Sequence, residues 1–169
     1  MLVVLSDLHF EEERSDHIPG SENDPPITYS RNLPAKAFRR FIAHLAAEAV
    51  RNKAQKLDLI LAGDIFDINR TSLWFRGNNK SLRPYVPLEN VGSDVQDRIL
   101  AILKAIKAEE SVSESLHAFG LLANGRYEDD GTKRFPVPTE LHLIPGNHDR
   151  MLNATPAIRE IARSALSVK

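Results

Sequence analysis

Three short, largely apolar runs recur along the chain, and each stops abruptly at a polar or turn-forming sequence. The runs cover residues 2–5, 57–62 and 141–144, and they stop at Ser6-Asp7, Gly63-Asp64 and Pro145-Gly146-Asn147. Apolar runs of this length are typical of strands buried on both faces of a sheet that helices cover. The pattern therefore predicts three central strands with polar residues at their ends.

Apolar residues at helical spacing occupy much of the remaining chain. Helices are predicted to begin at Pro34, near Ser93, and at Pro156 behind a capping Thr155, and a weaker helical pattern covers residues 115–123. The residues expected to be buried are Phe38, Phe41, Ile42, Leu45 and Ala49, then Val95, Ile99, Ile102, Leu103 and Ile106, then Ile158, Ile161, Ala165 and Leu166. Alternating strands and helices predict an α/β fold.

Polar stretches at residues 10–33, 68–91 and 124–139 fit neither pattern and are expected to be long loops. Loops of this length are often functional. A chain of 169 residues is the size of one domain, so the motifs should belong to a single fold spanning residues 1–169.

Composition narrows the classes of protein. The chain is 42% hydrophobic and 27% charged, and no apolar run approaches the roughly 20 residues that a membrane-spanning helix needs. The N-terminus lacks the basic region and cleavage site of a secretory signal, so a cytoplasmic location is expected. A net charge of −1 gives no general attraction to nucleic acid, which leaves that partner open. Because cysteine is absent, any bound metal must use oxygen and imidazole ligands.

Such ligands follow each predicted strand. Asp7 and His9 follow the first, Asp64 and Asp67 the second, and Asn147, His148 and Asp149 the third. Ligands of α/β sheets bind outside the carboxyl ends of strands, so we expect these groups to meet. In extended backbone, the two-residue spacing of Asp7 and His9 places both side chains on one side.

Mixed imidazole and carboxylate ligands favour Mn, Fe, Zn or Ni over Mg or Ca. Two such ions about 3.5 to 4 Å apart would polarise a phosphoryl group and activate a bridging water for hydrolysis of a phosphoester substrate. His148 is positioned in the sequence to assist the leaving group, with Asp67 as the partner of its other ring nitrogen.

Three motifs, read in order, are similar to those of a known family. Ser6-Asp7-Leu8-His9, Gly63-Asp64-Ile65-Phe66-Asp67 and Gly146-Asn147-His148-Asp149 resemble the first three signatures of the calcineurin-like metallophosphoesterases. The resemblance implies that Asp7 and His9 bind one metal, that Asp64 bridges two, and that Asn147 binds the second. It also implies that His148, paired with Asp67, steadies the leaving group, and it leaves the role of Asp149 open. Manganese is the first expectation for both ions.

The family pattern continues with a later single histidine and a G-H-x-H motif, whereas the last histidine here is His148. The resemblance therefore implies an N-terminal portion of the family's αββα two-sheet sandwich. An uncovered sheet face would then favour self-association. Two alternatives remain open at this point: a non-catalytic metal-binding remnant or interaction module, and a relative of the DNA-repair exonucleases.

Other residues carry weaker expectations. Arg70 and Arg76, in the loop of residues 68–91, are candidates for binding an anionic substrate, although an ordinary surface loop would also contain such residues. Histidines within predicted elements, His44, His117 and His142, are interpreted as structural, and His17 as a solvated loop residue.

Overall fold

The computed structural model describes residues 1–14, 16–22, 24–29, 31–77, 80–128 and 131–166, which form a mixed α/β fold. The strands are β1 (Leu2–Leu5), β2 (Asp16–Ile18), β3 (Ile27–Tyr29), β4 (Leu57–Ala62), β5 (Arg126–Tyr127), β6 (Lys133–Arg134) and β7 (Thr139–Ile144). The helices are α1 (Ala35–Arg51), α2 (Ser93–Ala108), α3 (Glu110–Ala123) and α4 (Pro156–Ala165). In the described part of the chain, no helix combines the length and apolar character that crossing a membrane requires.

The three predicted strands form one parallel sheet in the order β1-β4-β7. Its register places Val3, Leu59 and Leu141 side by side across the sheet. Because all three strands run the same way, their carboxyl ends lie along one edge, which we call the carboxyl edge. The polar motifs that follow β1, β4 and β7 therefore begin at the same edge of the sheet.

Only one face of this sheet is buried. Leu57, Leu59 and Leu61 are completely buried in the core that the helices share, together with Leu141 of β7. The opposite face, here called the open face, consists of alternate residues of the same strands: Leu2, Val4, Asp58, Ile60, Glu140, His142 and Ile144. Its apolar members include Leu2, 65% exposed, and Ile144, 54% exposed. The prediction of strands buried on both faces was wrong, because the polar residues Asp58, Glu140 and His142 occupy alternate positions of β4 and β7. Self-association through this face stays a prediction.

The helices largely follow the apolar pattern. Helix α2 buries the five residues predicted for it, and α4 begins at Pro156 behind Thr155, whose hydroxyl accepts the Ile158 N–H at 3.2 Å. Ile161 was expected to be buried but is 38% exposed. Helix α3 begins five residues earlier than its apolar pattern, at Glu110, because the Glu109 side chain caps it by accepting the Val112 N–H at 2.8 Å.

The long polar stretches contain more structure than predicted. Strands β2 and β3 pair antiparallel within the first, and β5 pairs with β6 within the third. His17 therefore lies in a strand, while the surroundings of its side chain fall outside what the structure describes. In the second stretch, the 3-10 turn Ser72–Phe75 buries Trp74, whose indole N–H donates to the Ile68 carbonyl at 2.6 Å. The buried Trp74 ring and its hydrogen bond hold this stretch against the core.

Candidate metal centre

The segments after β1 and β4 run side by side beyond the carboxyl edge. The Asp7 N–H donates to the Gly63 carbonyl at 3.2 Å, and the His9 N–H donates to the Asp64 carbonyl at 2.9 Å. The next amide, that of Phe10, donates to the Ile65 carbonyl at 2.8 Å. This ladder carries the first two motifs beyond the sheet together, so their carboxylates and imidazole remain neighbours.

The segment after β7 approaches the same place through a glycine. A Cβ at Gly146 would lie 2.7 Å from the Asp64 nitrogen and 2.9 Å from the Gly63 Cα, and closer still to Asp64 Oδ1. The His148 N–H donates to Asp64 Oδ1 at 2.9 Å. Only a residue without a side chain permits this approach, which brings the third motif against the second.

Three of the candidate ligands have unusual backbone conformations. Asp7, His9 and Asp64 have φ angles of 58°, 47° and 54°, in the left-handed region that residues other than glycine seldom adopt. Each such residue costs about 1–3 kcal/mol, and strain of this kind concentrates at functional sites. The two-residue spacing was expected to align Asp7 and His9 through extended backbone. Their side chains do approach each other, but by way of left-handed backbone.

The ligand atoms of Asp7, His9 and Asp64 fit a single ion. One donor atom from each lies within 4.8 Å of the others, and His9 Nε2 is 3.9 Å from Asp7 Oδ1. Adjacent ligands of a transition ion lie roughly 3 to 3.5 Å apart, given metal–ligand bonds of about 2.0–2.2 Å. Small side-chain rotations would therefore bring these three donors to ligand distance.

Asn147, the expected ligand of a second ion, stands beside this group. Its side chain is exposed, and its backbone carbonyl accepts the Asn69 side-chain amide at 2.7 Å. The other amide atom, Asn69 Oδ1, is buried without a hydrogen-bond partner in the described part of the chain. Buried orphan acceptors usually face a water or an ion, so a polar or cationic occupant fits here. Asn69 belongs to none of the sequence motifs; its only signal was its position two residues after Asp67.

Asp67 lies at the centre of a second, more buried cluster and is only 3% exposed. Its Oδ1 is 3.3 Å from His148 Nδ1, its Oδ2 is 3.4 Å from His9 Nδ1, and its Oδ2 accepts Arg70 Nε at 2.6 Å. The structure thus brings Asp67 and His148 together, as the resemblance implied. The rings of His9 and His148 meet edge to face with centroids 4.9 Å apart.

Burial alone would raise the pKa of Asp67, but the Arg70 hydrogen bond and charge, with the nearby His148, outweigh it and hold that pKa below its usual value. Asp67 is therefore an anion at neutral pH. A carboxylate on the second nitrogen of a histidine fixes the tautomer and the ring orientation. Asp67 can do this for His148, whereas the group nearest to His9 Nδ1 is Arg70 Nη2, at 3.0 Å.

Arg70 and Arg76 have different positions. The Arg70 guanidinium is 58% exposed, and its Nη2 lies 3.0 Å from His9 Nδ1, within the cluster. The Arg76 guanidinium instead donates to Ser72 Oγ at 3.2 Å, in the 3-10 turn. Of the two candidates for anion binding, only Arg70 contacts a predicted metal ligand in the described part of the chain.

Asp149, whose role the sequence left open, joins two of the motifs. It is completely buried, and its Oδ2 accepts the Ile65 N–H at 2.9 Å and the Phe66 N–H at 3.4 Å. Its Oδ1 accepts the Gly146 N–H. Desolvation raises the pKa of Asp149 despite these hydrogen bonds. The residue holds the motif after β7 against the motif after β4.

No protein family, curated protein or solved structure matches the chain.

Proposed function

We propose that the carboxyl edge of the sheet is a divalent transition-metal centre for the hydrolysis of phosphoesters. The observation that carries the proposal is the convergence of Asp7, His9 and Asp64, all three in left-handed backbone, within ligand reach of one another. Backbone strain of this kind clusters at functional sites and ligand clamps, which supports a role for the three residues in holding a ligand. Manganese, iron, zinc and nickel are the ions that suit the donor set.

Bound there, such ions supply Lewis-acid chemistry to a phosphoryl oxygen and generate a nucleophile from water at neutral pH. Asp7 and His9 would hold the first ion, and Asn147 would contribute its amide oxygen to the second. Asp64 would bind both. Its Oδ1 already accepts the His148 N–H, an interaction that fixes the carboxylate while leaving further lone pairs for ligation.

The cluster around Asp67 would act on the substrate. With Nδ1–H donated to Asp67 Oδ1, the protonated form of His148 would have Nε2–H left to donate to a leaving-group oxygen. The Arg70 guanidinium, exposed beside His9, would pair with the phosphoryl anion. Arg76 remains a candidate for substrate binding on the basis of the sequence alone.

Asp64→Asn tests the proposal with little damage to the fold. Asparagine tolerates left-handed backbone, and its carbonyl can still accept the His148 N–H, but the charge is lost. We expect at least about tenfold weaker Mn²⁺ binding and no Mn²⁺-dependent hydrolysis of a bis-aryl phosphate. Asp97→Asn, at an exposed aspartate of α2 outside both groups of metal-ligating residues, is the matched control and should leave both unchanged. Normal binding and turnover in Asp64→Asn, with circular dichroism like that of the parent protein, would refute the proposal.

A metal-binding module without catalysis is the second candidate. The small number of ligands for the second ion favours this candidate. Asp64 and the exposed Asn147 are the only described residues assigned to that ion. Tight binding of one Mn²⁺ per chain, lost in Asp64→Asn and accompanied by no hydrolysis of mono- or diesters, would select this candidate.

A further inference from the structure

A second group of metal-ligating side chains lies on the open face, outside the carboxyl edge. It consists of Asp58 on β4 with Glu140 and His142 on β7, and one donor atom of each lies within 4.8 Å of the others. We propose that these three residues bind a divalent transition ion such as Zn²⁺, at a site separate from the proposed phosphoesterase centre.

The sheet register builds this group. Asp58 pairs directly with Glu140, and Ile60 pairs with His142, so the three side chains project from one face of two adjacent strands. Neighbouring strands lie about 4.7–4.9 Å apart, so side chains paired across β4 and β7 on one face are close to each other. Asp58 precedes Ala62, the last residue of β4, by four positions, which at about 3.3 Å per strand residue puts Asp58 roughly 13 Å from the carboxyl edge.

The donor distances are close to those of a bound ion. His142 Nε2 lies 3.5 Å from Asp58 Oδ1 and 3.8 Å from Glu140 Oε2. Ligands of a transition ion lie roughly 3 to 3.5 Å apart, given metal–ligand bonds of about 2.0–2.2 Å. These separations are no longer than the 3.9 Å between Asp7 and His9 at the carboxyl edge. The open-face group is as well arranged for an ion as the centre that the motifs indicate.

The ligand types and their surroundings define the class of ion. One imidazole with two carboxylates suits zinc or nickel better than calcium, which requires six to eight oxygens. His142 is 46% exposed, and a groove of about 620 Å³ lined by Asp58, Ile60 and His142 gives solvent access. With three protein ligands the ion would keep positions for water. It would also clamp β4 to the edge strand β7.

Lys56 competes for the same carboxylates. Its ammonium donates to Asp58 Oδ1 at 3.0 Å and lies 4.0 Å from Glu140 Oε2. The Lys56 hydrogen bond, with that of His142, keeps the pKa of Asp58 below its usual value against desolvation. Lys56 is 55% exposed and can swing away, because exposed ion pairs of this kind are weak. The proposal therefore predicts that removing Lys56 strengthens metal binding.

Zinc titration of the whole chain by calorimetry tests the site. Compared with the parent protein, His142→Gln should lose one binding event or weaken it at least about tenfold. The zinc sites at the carboxyl edge remain in both proteins, so the difference isolates the open face. His44→Gln is the matched control, since His44 is an exposed histidine, 68%, with one carboxylate nearby, that of Glu48 at 3.9 Å.

Lys56→Met distinguishes a metal site from an ordinary ion-pair cluster. In Lys56→Met, the binding event that is lost in His142→Gln should have up to about fivefold higher zinc affinity, corresponding to the strength of an exposed ion pair. Zinc should also shift the ring resonances of His142 in nuclear magnetic resonance spectra. Equal titrations for the parent protein and His142→Gln, or binding at millimolar zinc only, would overturn the proposal. So would weaker zinc binding in Lys56→Met.

Discussion

The carboxyl edge and the open face each collect carboxylates and histidine on the same sheet, but by opposite means. At the edge, Asp7 and Asp64 adopt left-handed backbone, and a buried carboxylate holds the segments together. On the open face, Asp58 and Glu140 occupy regular strands, and the register alone aligns them. The arrangement at the carboxyl edge therefore depends on backbone strain and buried contacts, whereas the arrangement on the open face needs only regular strand pairing.

Gly146→Ala should produce the largest effect, because it places a side chain where the segment after β7 comes closest to the segment after β4. The new Cβ would lie 2.7 Å from the Asp64 nitrogen, a backbone atom that cannot move without breaking the motif after β4. We expect a loss of about 3 kcal/mol or more in the free energy of unfolding, measured by urea denaturation. The control is Gly92→Ala, where a Cβ meets nothing within 4 Å. Equal stability of the two variants would contradict the close approach.

Asp149→Asn should have the next largest effect. The amide has one accepting oxygen where the carboxylate has two, so a buried N–H of Ile65 or Gly146 loses its partner and faces an NH₂ group. The expected loss is about 2–3 kcal/mol in the free energy of unfolding. Asp58→Asn makes the same chemical change on the open face and should leave the urea midpoint unchanged. A comparable loss in both variants would erase the contrast between the two regions.

Asp67→Asn should have the smallest effect of the three, and one that depends on pH. The pKa of Asp67 is lower in the folded protein than in the unfolded chain, so the unfolded chain binds more protons and stability rises with pH. This contribution is complete above the unfolded pKa of about 3.9 and is lost as pH falls through the folded pKa.

Urea denaturation of the parent protein and Asp67→Asn across acidic pH checks this sign. The parent protein should be more stable by about 1–2 kcal/mol at pH 6, and the two curves should converge below about pH 4. A difference that grew on acidification would show that Asp67 is protonated more readily in the folded protein.

Much of the fold and of the candidate site follows from local pattern. The five apolar residues of α2, the cap at Thr155 and the three strand ends are all visible in the sequence because they depend on spacing and on short-range hydrogen bonds. The pairing of Asp67 with His148 was expected from the polar residues at the strand ends, and the resemblance implied it as well. The assignment to the metallophosphoesterase family itself stays a prediction.

Features that depend on contacts distant in sequence were not predicted. The function of Asp149 arises from Ile65 and Phe66, which are far away in the chain. An uncovered sheet face was expected, but the polar group on it was missed because Leu57 to Ala62 was interpreted as one apolar run, whereas Asp58 pairs with Glu140 only after β7 joins β4. Left-handed backbone at non-glycine residues has no local signal, since the surrounding structure imposes it.

The parallel sheet order also determines when the proposed metal centre can form during folding. Leu2 pairs with Asp58 and Leu57 pairs with Thr139, so each strand must wait for a long intervening segment to collapse. Parallel pairings of this kind are slow to form because loop closure precedes any gain from contact. Since the ligands follow all three strands, a nascent chain has no complete centre until β7 has been synthesised and has docked. Metal binding at the proposed centre would thus be a late step of folding.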